Sequence, residues 1–270
     1  MSLALVHRVA LADDGGVRVI GARGHDVGTH GESALATALG LPVVIRSTVD
    51  IGRCWPLFPA EEATVAGSAP QRRAQFAAAR ACARAAMRDL MIEPAAILPV
   101  GGTGPMWRTR APRWPHGVVG SLTHTAGFAA AALGRSEHVG SVGLDVEPDL
   151  ALPHGVWDSV HVDGEDRCVA DLAQGDATIA GDRLVFSAKE AVFKAWFPLT
   201  GRWLGFDDCQ VDLRPDGTFC CGPTGDADPS HRLLEAVIGR WRVTSRGGTR
   251  HLLTAAAVPA CIAPVTARTP

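Results

Sequence analysis

The sequence predicts a mixed α/β (α+β) fold of two similar lobes, and three observations carry that expectation. Short apolar runs of strand length recur in both halves, bounded by Gly, Pro and Asp. Each half also holds one principal helix, Pro70–Met91 in the first and Arg183–Trp196 in the second. The third is bulk: 270 residues, 47% hydrophobic and 20% charged, suffice for one large domain or two modest ones with a proper core. The lobes are expected at residues 1–135 and 136–270, joined near 134–140, although no repeat is visible in the residues themselves.

In chain order, Leu3–Leu11, Val17–Ile20 and Val43–Ile45 read as strands between Gly- and Asp-rich turns. Pro70–Met91 is Ala-rich and free of internal glycine, which favours a helix. At about 100° per residue, Phe76, Ala83, Met87 and Leu90 share one stripe, with Arg73, Arg80, Arg84 and Arg88 beside it. Residues 99–117 are rich in Pro, Gly, Trp and Arg and read as a loop. Val118–Thr123 and Phe128–Leu133 read as strands about an Ala126-Gly127 turn, and His138–Val146 as a strand stopped by Pro148. Val160–Leu172 and Arg183–Trp196 read as helices. Phe206–Leu213, Thr218–Cys221, Trp241–Ser245 and Leu252–Val258 follow as strands, and Ala263–Pro270 as a loose tail.

Composition narrows the function. A net charge of −2 speaks against a general nucleic-acid binder, which needs a strong positive field. The start is too short in apolar length for a signal peptide, and no apolar run approaches the ~20 residues of a membrane helix. Seven cysteines without C-x-x-C spacing give neither a disulfide framework nor a zinc site. A cytoplasmic protein with reduced, mostly buried thiols is expected.

The chain has only two lysines, Lys189 and Lys194, flanking Glu190 in the run Phe186-Ser-Ala-Lys-Glu-Ala-Val-Phe-Lys194. Arginine fills every other basic position, so lysine marks places where a compact, titratable ammonium is wanted. That points to phosphate chemistry or proton transfer. Ser187 and Glu190 also fit an S-x-x-E capping box, and Glu190 with Lys194 an i,i+4 ion pair. Upstream, Gly143-Leu-Asp145-Val-Glu147 places two carboxylates on one strand face, a donor set suited to magnesium. Gly120-Ser-Leu-Thr123-His124 ends a strand before a turn, where a hydroxyl and an imidazole can meet an anion. A nucleophile triad is set aside, since there is no G-x-S-x-G elbow and Ser121 and His124 fall on opposite strand faces.

Together these runs resemble the two signatures of the 4′-phosphopantetheinyl transferases, in the pseudo-dimeric bacterial type that activates peptide and polyketide synthases. The likeness extends to Arg72-Arg73-x-x-Phe76-x-x-x-Arg80-x-Cys82-Ala-Arg84, to Trp114-Pro-x-Gly-Val-Val-Gly-Ser-Leu-Thr-His124 and to Lys194-Ala-Trp-Phe-Pro-Leu-Thr-Gly-Arg-Trp203. It runs from about Leu57 to Leu213, and the order and spacing are more specific than any single motif.

The resemblance implies an intramolecular pseudo-dimer with the active site in the cleft between lobes. The activity it implies is transfer of phosphopantetheine from coenzyme A to a serine of an acyl- or peptidyl-carrier protein, releasing adenosine 3′,5′-bisphosphate. Asp145, Glu147 and Glu190 would hold Mg²⁺, or Mn²⁺ in its place. Asp145, Glu190 and Lys194 would be catalytic. Arg72, Arg80, Thr123, His124, Lys189 and Lys194 would contact coenzyme A, and the protein would act as a monomer without nucleic acid or membrane. Arg72 is expected to reach the ligand of Arg80 only by preceding the regular helix. Thr103-Gly-Pro105 lacks the basic residue many relatives carry, and an inserted Trp107–Arg113 leaves open which arginine replaces it. Glu165 and Asp166 both remain candidates for a further acid. Two rival readings use the same residues: a metal-dependent phosphodiesterase or nuclease, and a module that binds coenzyme A or a carrier without turnover.

Overall fold

The computed structural model describes residues 30–225, 229–246 and 248–262. The strands expected at Leu3–Leu11 and Val17–Ile20, and the tail Ala263–Pro270, lie outside the described residues. The described elements are helices α1 (His30–Ala38), α2 (Pro59–Val65), α3 (Pro70–Asp89), α4 (Met106–Thr109), α5 (Glu165–Gly175) and α6 (Gly181–Thr200). The strands are β1 (Val43–Thr48), β2 (Leu98–Pro99), β3 (Pro112–Arg113), β4 (Val118–Thr125), β5 (Phe128–Arg135) and β6 (Val139–Pro148). After α6 come β7 (Cys209–Leu213), β8 (Thr218–Pro223), β9 (Ile238–Arg246) and β10 (Thr249–Pro259).

Every described ladder is antiparallel, so the mixed class is α+β. One sheet runs β1-β5-β4 and the other β6-β10-β9-β8-β7, with a small β2-β3 pair between α3 and β4 in sequence. The Ala126-Gly127 turn joins β4 to β5 as the sequence suggested, with Gly127 at φ +74 supplying the left-handed residue.

Strand alternation divides the core into layers. On β5, Ala129, Ala131 and Leu133 pack against α3, while Phe128, Ala130 and Ala132 face the second sheet. On β10, Leu253, Ala255 and Ala257 face the first sheet, while Leu252, Ala256 and Val258 lie under α6. The two sheets therefore share one buried apolar layer.

Several expectations change in detail. The region 99–117 is not all loop, since it contains α4, β3 and the end of β2. The helix expected from Val160 starts at Glu165, where its carboxylate accepts the Val162 amide. Helices α1 and α2 were not foreseen. Within the arginine stripe of α3, Arg88 is exposed while Arg80 and Arg84 are buried around Glu61, which is fully enclosed and also accepts the Ile97 amide at 2.8 Å. The cysteines are free, four buried and three exposed. Among the described residues no helix is long and apolar enough to cross a membrane.

Candidate active site

The site lies where the edge strands of the two sheets meet. β4 and β6 do not form a ladder with each other. Side chains bridge them instead: the Leu144 amide donates to Ser121 Oγ at 3.0 Å, and the Thr123 hydroxyl donates to Asp145 Oδ1 at 3.1 Å.

Helix α6 is seated on β6 by one glycine. A Cβ on Gly143 would stand 1.9 Å from the Ala191 carbonyl oxygen and 2.7 Å from the Ala195 amide nitrogen. Only a residue without a side chain allows that approach. It brings Asp145 and Glu147, on the Gly143 face of the strand, against one stripe of the helix. That stripe is Arg183, Ser187, Glu190 and Lys194, at i, i+4, i+7 and i+11.

The contacts follow from this placement. The Lys194 ammonium lies 2.6 Å from Asp145 Oδ1, and the Ser187 hydroxyl donates to Asp145 Oδ2 at 2.9 Å. Arg183 donates to Glu147 at 3.0 Å and to the Leu150 and Ala151 carbonyls. Glu190 lies within electrostatic reach of Asp145 and Lys194. Burial first, and then Asp145, push the Glu190 carboxyl upward, against the pull of Lys194. Glu147 is raised by burial and by Asp145 despite Arg183. Burial depresses Lys194, but Asp145 and Glu190 outweigh it, so the ammonium ends above its ordinary value. For both glutamates, burial beside another carboxylate disfavours the charged form.

Across the seam is a basic group. Arg72 Nη1 donates to His124 Nε2 at 2.9 Å, which places the ring hydrogen on Nδ1; that atom is buried and has no partner. Burial, then Arg72 and Lys194, push the imidazole down to about 4. Arg80 is pushed down to about 9 by burial, with Arg72 and Arg84 adding to the shift against Glu61. Its Nε donates to the Ile97 carbonyl at 2.9 Å. These cations repel one another, an arrangement that an anion would relieve.

Not every expected residue comes to this place. Ser187 does not cap a helix, because α6 begins at Gly181 and Ser187 lies in its interior. Lys194 turns to Asp145 rather than forming a simple surface pair with Glu190. Arg72 lies within α3 and still meets His124, since eight residues at ~100° leave it only ~80° from Arg80. Thr123 has already given its hydroxyl hydrogen to Asp145.

Lys189 is the clearest correction. Five residues separate it from Lys194, which is ~140° around a helix. Its ammonium is buried on the far side, pairing with Glu165 at 3.0 Å and donating to the Val160 and Phe206 carbonyls at 2.7 and 2.8 Å. All three hydrogens are used within the protein. Glu165 is spent on Lys189 and on the Val162 and Val211 amides, while Asp166 is exposed and accepts the Trp157 indole. Neither belongs to the Asp145 group. Arg108, Arg110 and Arg113 are exposed.

Arg183 and the role of Ser187 were not read from the sequence. Their signal was available: polar residues in register with Glu190 and Lys194 on an otherwise apolar helix.

Among the described residues no three acids, imidazoles or thiols close into a ligand cage. Asp145, Glu147 and Glu190 are instead an open group of carboxylates about Lys194. That chemistry fits a hard cation that keeps waters and substrate phosphates among its ligands.

Comparison with known proteins gives two matches along the chain. Residues 60–134 match the profile of the 4′-phosphopantetheinyl transferase N-terminal domain. Residues 141–246 match that of the 4′-phosphopantetheinyl transferase superfamily. The chain is 43% identical over 210 residues to the 4′-phosphopantetheinyl transferase Svp of Streptomyces mobaraensis, covering 76% of this chain and 79% of that one. It is 46% identical over 191 residues to Npt of Nocardia iowensis, covering 71% and 78%. With PptT of Mycobacterium tuberculosis it shares 45% identity over 165 residues, covering 61% and 68%.

Proposed function

As a member of the 4′-phosphopantetheinyl transferase superfamily this chain is a transferase, and we propose that its donor is coenzyme A and its acceptor a serine hydroxyl of an acyl- or peptidyl-carrier protein. The released product is adenosine 3′,5′-bisphosphate. The observation that carries this reading is the pairing across one seam of a basic group, Arg72, Arg80 and His124, with acids gathered around a single ammonium. A polyanion that brings its own cation would satisfy both sides.

In this reading residues 1–135 form the lobe that receives the nucleotide, and residues 136–270 the lobe that carries the acids. Arg72 docks the 3′-phosphate with His124 holding its guanidinium in place, and Arg80 adds charge behind them. Asp145, Glu147 and Glu190 would hold Mg²⁺, which when bound would neutralise charge on the diphosphate. Glu190 takes the proton of the carrier serine, its carboxyl held above the ordinary value by burial first. The serine oxygen then bonds to the phosphorus that bears pantetheine, and the bond from that phosphorus to the bridging oxygen breaks. The electron pair leaves with the nucleotide phosphate, whose charge Lys194 meets as a held ammonium.

The test is direct. Incubation with coenzyme A, Mg²⁺ and a panel of apo carrier proteins should add the phosphopantetheine mass to the carrier serine. A panel that stays unmodified, with coenzyme A intact, would overturn the reading.

A further inference from the structure

Asp145 is the most tightly specified acid of the site, and its second oxygen is held by a chain of hydroxyls that begins on a different strand. Thr254 on β10 is the cross-strand partner of Asp145, and both project from the same sheet face. Thr254 and Ser187 are both fully buried. The Thr254 hydroxyl lies 2.9 Å from the Ser187 carbonyl and 2.9 Å from Ser187 Oγ, and the Ser187 hydroxyl donates to Asp145 Oδ2 at 2.9 Å. Each hydroxyl has one hydrogen to give: Ser187 gives its own to Asp145 Oδ2, and Thr254 gives its own to Ser187, between the carbonyl and Oγ.

The position of Ser187 makes the contact unusual. A serine inside a helix ordinarily faces water or bonds back to the carbonyl four residues earlier. Alanine there would favour the helix by about 0.5 kcal/mol. Ser187 instead reaches off its helix to another element. The torsion that sets a carboxylate plane is soft and roughly two-fold. Removing the donor would leave a buried oxygen bare, and Asp145 would turn to find another hydrogen. That rotation would carry Oδ1 away from Thr123 and Lys194.

We propose that Ser187, seated on Thr254, is a positioning residue that holds Asp145 Oδ2 and thereby fixes the carboxylate that meets Lys194 and would help to hold the divalent cation. This rests on the transferase reading above, because that reading supplies the cation. Groups behind a metal ligand commonly govern affinity by 10- to 100-fold.

The test uses the full-length protein and two substitutions, Ser187→Ala and Thr254→Val, with Mn²⁺ binding followed by electron paramagnetic resonance. Ser187→Ala should weaken Mn²⁺ by roughly 10- to 100-fold and Thr254→Val by a smaller factor. Carrier modification should be slow at low Mg²⁺ in both variants and recover as Mg²⁺ is raised, which a defect of folding alone would not do. If Ser187→Ala fails to fold by circular dichroism, Thr254→Val, nearly isosteric, decides the matter alone. Mn²⁺ affinity and Mg²⁺ requirement equal to the parent protein's in the folded variants would overturn the proposal while leaving the transferase reading standing. A parent protein that neither binds Mn²⁺ nor modifies any carrier would overturn both.

Discussion

Helix α6 carries both lysines of the chain, and their surroundings are opposites. Lys189 is buried with three acceptors for its three hydrogens, and its partner Glu165 has two backbone amides besides. Lys194, a quarter exposed, stands among Asp145, Glu190 and Glu147, too many acids for one ammonium. The first cluster is saturated and joins α5, α6, β7 and two loop segments. The second is left with excess like charge, and Glu147 and Glu190 in it are pushed upward by burial first and by Asp145 after it. Saturated charge holds a fold together, whereas unsatisfied charge is kept for something that arrives later.

The comparison can be broken most sharply at the second cluster. Glu190→Gln and Lys194→Ala should each lower carrier modification by roughly 10³-fold. Removing one of several repelling carboxylates should leave the Glu190→Gln protein at least as stable as its parent by thermal melting. A Glu190→Gln protein with normal transfer would remove the base from the mechanism. Lys194→Arg should also fail, because a planar fork cannot take the place of a point charge against Asp145.

The first cluster should answer in the opposite currency. Lys189→Met leaves Glu165 charged and unpaired, which costs about 3–5 kcal/mol in denaturant unfolding. Turnover per folded molecule should stay within about threefold of the parent, by the usual size of effects on remote residues. Loss of turnover in a fully folded Lys189→Met protein would erase the distinction between the two lysines.

Smaller effects belong to the basic side of the seam. With its pKa down near 4, the His124 ring is neutral at pH 7 in the free protein. Its contribution to stability is present above the unfolded value of about 6.5 and is lost as pH falls toward 4. His124→Gln should flatten that part of the stability profile. A bound phosphate would raise the same pKa, so adenosine 3′,5′-bisphosphate should bind more tightly as pH falls from 7 toward 5, by less than about tenfold per unit. Calorimetry in buffers of different ionisation heat would show the proton uptake. Smallest is the effect of salt: coenzyme A affinity should drop a few-fold between about 50 and 200 mM, as expected for half-exposed phosphate contacts. Affinity independent of salt would count against Arg72.

Much of this was legible in the residues. The β4–β5 hairpin announced itself through Ala126-Gly127, and β6 through the alternation of Gly143, Asp145 and Glu147 with apolar neighbours. The Lys189–Lys194 pair misled because closeness in sequence was read as closeness in space, when five residues on a helix turn a side chain to the other flank. Ser187 was misread for a related reason. Ser-x-x-Glu is a local pattern, whereas α6 starts at Gly181 and Ser187 meets Thr254, 67 residues away, through packing of α6 on β10. The meeting of β4 and β6 without a ladder has no local signature, since it arises from how two sheets pack. Helix α1 is short and weakly patterned, and it is held by tertiary contacts such as Arg240 on the Ala38 carbonyl.

The apolar layer between the sheets has a consequence for how the molecule comes apart. Ile45, Phe128 and Ala130 on one side and Leu144, Leu253 and Ala255 on the other cover each other. A cut between Arg135 and Val139 would give two fragments, each with one oily flank bare to water. Neither half is a free-standing unit, and the enzyme should melt in a single step. The halves, expressed separately, should gain structure only when mixed.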